Sequence, residues 1–172
     1  MPAGCGTEEA VYRIVFLGRC SVIIVSRSIV LVAGLTLGFG AAAWKVAARD
    51  RWIGWEPSTR EAHLGRVLNN ARFLLLPWVR VKNLASKVLS LAAAQVPEDF
   101  AAGYGGRVVL LETFVQTPRF RGTCYRAANW QYLGETTGRG KCARSRKASL
   151  PPKAVYVYPL AADFRAALGV RP

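Results

Sequence analysis

The segment Asn69–Gln95, NNARFLLLPWVRVKNLASKVLSLAAAQ, constrains the fold most, because an apolar run, a basic turn and a helix start follow one another without a break. Its pattern predicts a buried strand over Arg72–Val79, with Pro77 near its end. Arg80 and Lys82 make the turn basic. Asn83 is expected as the N-cap of a helix in which Leu84, Val88 and Leu91 recur at helical spacing. The first amides of such a helix are unpaired and its dipole is positive there. Asn83, Leu84, Ala85 and Ser86, with Arg80 and Lys82 just ahead, are therefore the candidate binding residues for a phosphorylated ligand.

Charge points the same way. The 172 residues carry a net charge of +14, and residues 116–172 hold eleven cations against two acids. A surface of that sign favours nucleic acid, anionic cofactors or acidic membrane. With 52% hydrophobic residues the chain is rich enough to bury a core, which excludes global disorder. Cys5, Cys20, Cys124 and Cys142 lie far apart, and His63 is the only histidine. That spacing argues against a zinc site and a disulfide framework, and fits reduced thiols in a cytoplasmic protein.

Residues 14–43 are the most apolar stretch, but Ile29–Trp44 spans sixteen residues interrupted by Gly and Thr, short of the roughly twenty a spanning helix needs. The β-branched groups Val22–Val25 and Ile29–Val32 predict a hairpin turning at Ser26-Arg27-Ser28, and no membrane partner. Glu56-Pro57-Ser58-Thr59 announces a helix with Leu64, Val67 and Leu68 on its apolar side and Glu61, His63, Arg66 and Asn70 on its polar side. Pro97 and Gly103–Gly106 mark a loop, and Arg107–Val115 reads as a second buried strand in which Glu112 requires a partner. A helix from Pro118, a strand over Gln131–Glu135, a flexible basic loop over 136–153 and a closing strand over Ala154–Leu160 complete an α/β pattern. The expected architecture is a mixed, twisted sheet with flanking helices. Its domain spans residues 21–165, preceded by an atypical, shortened segment 1–20 and followed by a tail, 166–172.

The succession of strand, basic turn, helix, strand and short helix ending before an aromatic residue resembles the acyl-CoA N-acyltransferase (GNAT-like) fold. In that family a turn of the form Arg-x-x-Gly-x-Gly/Ala holds the cofactor pyrophosphate, and Arg80, Asn83 and Ala85 resemble it with Asn at the first glycine. Tyr125, Asn129 and Trp130 resemble a later Tyr-x-x-x-Gly-Phe pattern, again with Asn for Gly. The strings FGAAAWKVAARDRWIGW, NNARFLLLPWVRVKNLAS, LLETFVQTPRFRGTCYRAANWQYLGETTGRG and VYVYPL, in that order over residues 38–160, are moreover similar to the Druantia anti-phage protein A family, a domain of unknown function also found beside transposases. That resemblance implies a cytoplasmic bacterial protein of defence or mobile-element systems, with defence-complex or transposase proteins as partners.

Two site readings follow. As a nucleic-acid-binding module, the chain would use Arg119, Arg121, Arg126, Arg139, Lys141, Arg144, Arg146 and Lys147 along a phosphate backbone, with Trp130 and Tyr132 for stacking. As a GNAT-like enzyme using acetyl-CoA or another phosphorylated ligand, it would use Tyr125 as the acid for a leaving thiolate and Glu112 as base. A non-catalytic subunit of a defence complex is the third expectation.

Overall fold

The computed structural model describes residues 35–117, 119–138 and 150–170. The hairpin expected over 22–32 lies outside them. Ten elements follow in chain order: β1 Leu35–Ala41, α1 Ala47–Ile53, α2 Pro57–His63, β2 Val67–Leu75, α3 Leu84–Tyr104, β3 Leu110–Gln116, α4 Thr123–Ala127, β4 Gln131–Glu135, β5 Lys153–Pro159 and α5 Phe164–Ala167. The five strands form one sheet in the order β1-β2-β3-β5-β4. Its pairs are antiparallel except β2 with β3, which run parallel and are joined through α3. The mixed α/β sheet with flanking helices is thus the observed class. No helix among the described residues is long and apolar enough to cross a membrane.

Alternation along the strands builds a core on each face. Leu68, Leu111 and Tyr156 face α3 and α4, where Leu89, Ala93, Val96, Tyr125 and Trp130 pack. Val67, Leu110 and Val157 face the other way, onto Ile53, Trp55, Phe164 and Leu168. Leu168, in the stretch expected as a tail, is fully buried, and Trp55 Nε1 donates to its carbonyl at 2.9 Å. The strand at Leu35–Ala41 lies where no regular element was expected. Its Leu37 and Phe39 are buried, each contributing about 1.5–3 kcal/mol.

Three boundaries differ from the sequence reading. The helix expected to carry Val67, Leu68 and Asn70 ends at His63, and those residues begin β2 instead. An apolar pair at 67–68 serves either element locally. The pairings Val67↔Leu110 and Leu68↔Leu111, which bury one residue on each face, decide for strand. β2 then ends at Leu75 rather than Val79, because Val79 N–H closes a turn onto Leu76 O at 3.0 Å across Pro77. Pro97 does not break α3. Leu89, Ala92, Ala93, Val96 and Phe100 form a buried helical stripe through it, and that burial outweighs the single backbone bond proline forfeits. The helix stops at Gly105, left-handed at φ 67°, whose N–H bonds Ala101 O at 2.9 Å.

Glu112 finds the partner its burial demands. Its two carboxylate oxygens accept from Arg49 Nη1 and from the Ala43 amide, both at 2.7 Å, with Arg49 and Glu112 wholly buried. Arg49 also donates Nε and Nη2 to Asp50 and Nη1 to Ala43 O, so its donors are spread over three acceptor groups. Burial pushes the Glu112 carboxyl above its ordinary value, against the pull of Arg49 and the Ala43 amide. Glu112→Ala leaves Arg49 with Asp50 as its one carboxylate and the Ala43 amide without its acceptor, and is expected to lower stability by about 3–5 kcal/mol in a urea titration. Glu135→Ala, at an exposed position, is expected to change it by no more than about 0.5 kcal/mol.

Candidate functional site

Strands β2 and β3 stay in register over only three pairs, Val67↔Leu110, Leu68↔Leu111 and Asn69↔Glu112. Both continue beyond that point, β2 to Leu75 against β1 and β3 to Gln116 against β5, without pairing with each other, so the parallel strands part toward their carboxyl ends. In an open α/β sheet such a parting is where ligands enter. A bulge marks the same level. β1 pairs Gly38 with Arg72 and Phe39 with Asn70, leaving Ala71 as the extra residue of β2. Asn70 locks it: its Nδ2 donates to Gly38 O and Arg72 O, each at 3.0 Å.

The remaining groups of the parting come from β3 and α4. Thr113 Oγ1 donates to Asn70 O at 3.1 Å, and Tyr125 OH donates to Asn70 Oδ1 at 2.7 Å. Phe73 closes on Tyr125 edge to face, centroids 6.1 Å apart, so β2 and α4 meet across the gap. Desolvation raises the Tyr125 phenol to about 12, which keeps it protonated at neutral pH. α4 can approach so closely because Gly122 precedes it; a Cβ there would lie 2.6 Å from the Tyr156 hydroxyl.

Tyr125 and Glu112 are not brought together. Thr113 and Glu112 are neighbours in β3 and point to opposite faces, so Tyr125 shares the α3 side with Thr113 while Glu112 is sealed against Arg49. Arg80 and Lys82 lie exposed in the β2–α3 connection, with Leu84, Ala85 and Ser86 half-buried in the first turn of α3. Asn83 stands at the N-cap but does not cap with its side chain. It is left-handed, at φ 60°, and Asn129 likewise at φ 64°. Both asparagines thus take a backbone conformation that glycine more commonly supplies. A groove of about 450 Å³ between α1 and α2, lined by Lys45, Asp50, Arg51, Trp55 and Arg60 among others, includes none of the expected site residues.

A second group of cations lies away from that groove, with few acids beside it. Arg119 and Arg121 are exposed in the β3–α4 connection, and Arg126 on α4 donates to Arg121 O at 3.2 Å. Parallel strands deliver both connections, 76–83 and 117–122, to one sheet edge. The β4–β5 connection leaves from that edge too, since Lys153 pairs with Gln116 and Leu150 N–H bonds Gly138 O at 3.0 Å. Arg139, Lys141, Arg144, Arg146 and Lys147 lie outside the described residues. Of the described acids only Glu135 belongs to this edge. Asp50, Glu56, Glu61, Glu98, Asp99 and Asp163 sit in helices and connections of the opposite edge, and Glu112 is inside. Trp130, expected to stack on bases, is 3% exposed and packs between Tyr125 and Tyr158, whereas Tyr132 is open to solvent.

The model of the Druantia protein DruA family matches residues 23–150, about three quarters of the chain. The chain belongs to that family. Membership makes it a component of a bacterial anti-phage defence system. The matched region covers β1 to β4, hence the parting, the bulge and the whole basic edge, and stops short of β5. No curated protein matches the chain.

Asn70 and Thr113 were missed by sequence reasoning, the first because it was assigned to a helix. The one available signal was two polar residues inside otherwise apolar runs. Tyr125 titrates near 10 when unfolded and about 12 when folded, so its stabilising effect is full below pH 10 and is lost as pH rises through 12. The expected outcome is a fall of about 2–3 kcal/mol across that window in chemical denaturation, absent in Tyr125→Phe.

Proposed function

We propose that the chain is a nucleic-acid-binding component of its defence system, engaging phosphates through the basic sheet edge. One observation carries this reading: the connections 76–83 and 117–122 bring Arg80, Lys82, Arg119 and Arg121 to one edge beside Arg126, while the described acids other than Glu135 lie elsewhere. Segregation of that kind concentrates positive potential where an extended polyanion can lie across several loops. Lys45, Arg51, Arg66, Arg107 and Arg165 stand exposed at the opposite edge as well, but there the acids offset them. Gly138 and Leu150, which flank segment 139–149, are joined at the same edge, and that segment carries five further cations in the sequence. Other proteins of the defence system, or a transposase, are the partners this role implies.

A second reading rests on the parting of β2 and β3. A phenol held protonated at its mouth, and a basic turn with the left-handed Asn83, match what a GNAT-like acyltransferase needs. Arg80, Lys82 and the amides from Asn83 to Ser86 would hold the phosphates of acetyl-CoA, which supplies the activated acyl group. Tyr125 already spends its proton on Asn70. Donation to a substrate therefore requires that bond to open, and Glu112 is on the wrong face to serve as base. The phosphate-holding half of the site fits and the proton-transfer half does not, so nucleic-acid binding is the favoured function.

Binding to a DNA fragment at a series of salt concentrations tests the proposal. Affinity is expected to fall steeply with salt, and the triple variant Arg119→Ala, Arg121→Ala, Arg126→Ala to lower the log–log slope by about 0.9 for each duplex phosphate it no longer neutralises. Absence of binding at low salt would overturn it. Thermal stabilisation by acetyl-CoA, with loss in Arg80→Ala, would instead support the second reading.

A further inference from the structure

Two large aromatic rings stand open to solvent at the basic edge. Trp78 is 71% exposed in the β2–α3 connection, and Phe120 is 54% exposed in the β3–α4 connection. Each is set among cations in sequence, Trp78 by Arg80 and Lys82, Phe120 by Arg119 and Arg121. The Arg119 guanidinium stands 5.2 Å from the Phe120 centroid. The two connections flank the point where Phe73 of β2 meets Tyr125 of α4, so they belong to one side of the molecule. Trp44 is exposed too and has the Arg60 guanidinium over its ring, but it follows the far end of β1, at the edge that carries most of the acids.

We infer that this edge binds single-stranded nucleic acid, with Trp78 and Phe120 as stacking platforms for unpaired bases and the neighbouring cations on the phosphates between them. The inference rests on the nucleic-acid reading above and narrows its substrate. Leaving a tryptophan largely in water costs a protein the burial its ring would otherwise bring, and here that happens in a turn that carries two cations. A duplex offers such rings little, because its base faces are already covered by one another. An unpaired base presents a free face, and stacking on aromatic residues is indifferent to sequence. Cations beside the ring neutralise the phosphate adjoining the stacked base, so the two residue types act on successive parts of one nucleotide.

The test compares the full chain on a homopolymeric single-stranded DNA and on a duplex of equal length, over a range of salt. The single strand is expected to bind more tightly, and Trp78→Ala or Phe120→Ala to weaken it by about 5- to 150-fold each. Neither substitution should alter the salt slope or duplex affinity, because neither removes a charge. Trp78→Phe should restore most of the lost affinity. Both rings being exposed, unchanged thermal unfolding of the variants serves as the folding control. If neither DNA binds at low salt, the nucleic-acid reading itself fails. If duplex binds as well as single strand, or the alanine variants bind the single strand as before, that reading stands and the stacking inference is overturned, leaving the rings as a protein-docking surface.

Discussion

A carboxylate inside a sheet must be neutralised where it stands, and much of this molecule is arranged around that demand. Glu112 occupies the last register pair of β2 and β3, where water cannot reach it. Arg49 answers from α1, which fixes that short helix beneath the sheet, and Asp50 holds the other edge of the guanidinium. α1 has only seven residues and too little stability of its own to choose this place. Through the Ala43 amide the same carboxylate also sets the path of the chain as it leaves β1.

One residue further along β3 the opposite face opens. Thr113 and Asn70 exchange the bonds that parallel pairing would have made for a side-chain network, and Tyr125 completes it from α4. The sheet is therefore closed by an ion pair on one face and held apart by neutral hydrogen bonds on the other. The consequence for function is directional. Because β2 and β3 run parallel, their connections emerge together, and the cations and open aromatic rings of both loops share one edge. The family to which the chain belongs, that of Druantia protein DruA, gives this edge a setting in anti-phage defence.

Much of this was legible in the residues. The strands over Leu110–Gln116 and Lys153–Pro159 follow runs of β-branched and aromatic residues bounded by Gly and Pro, and the demand of Glu112 for a cation follows from its apolar neighbours. The stacking residues were less so: Trp130 and Trp78 are both tryptophans near arginines, and only packing distinguishes the buried one from the open one. Likewise Pro97 reads locally as a break, and only the stripe buried beneath it carries α3 through.

The turn between β2 and α3 shows the division of labour. By itself the sequence determined that Arg80 and Lys82 stand ahead of a helix and that Asn83 begins it, because charge, propensity and spacing are local properties. Tertiary structure decided the rest. It moved β2 back to Val67, since strand choice rests on partners distant in the chain, and it gave Asn83 a left-handed backbone instead of a capping side chain. It also brought this turn to the same edge as Arg119 and Arg121, because β2 and β3 pair in parallel and their following connections leave from the same end.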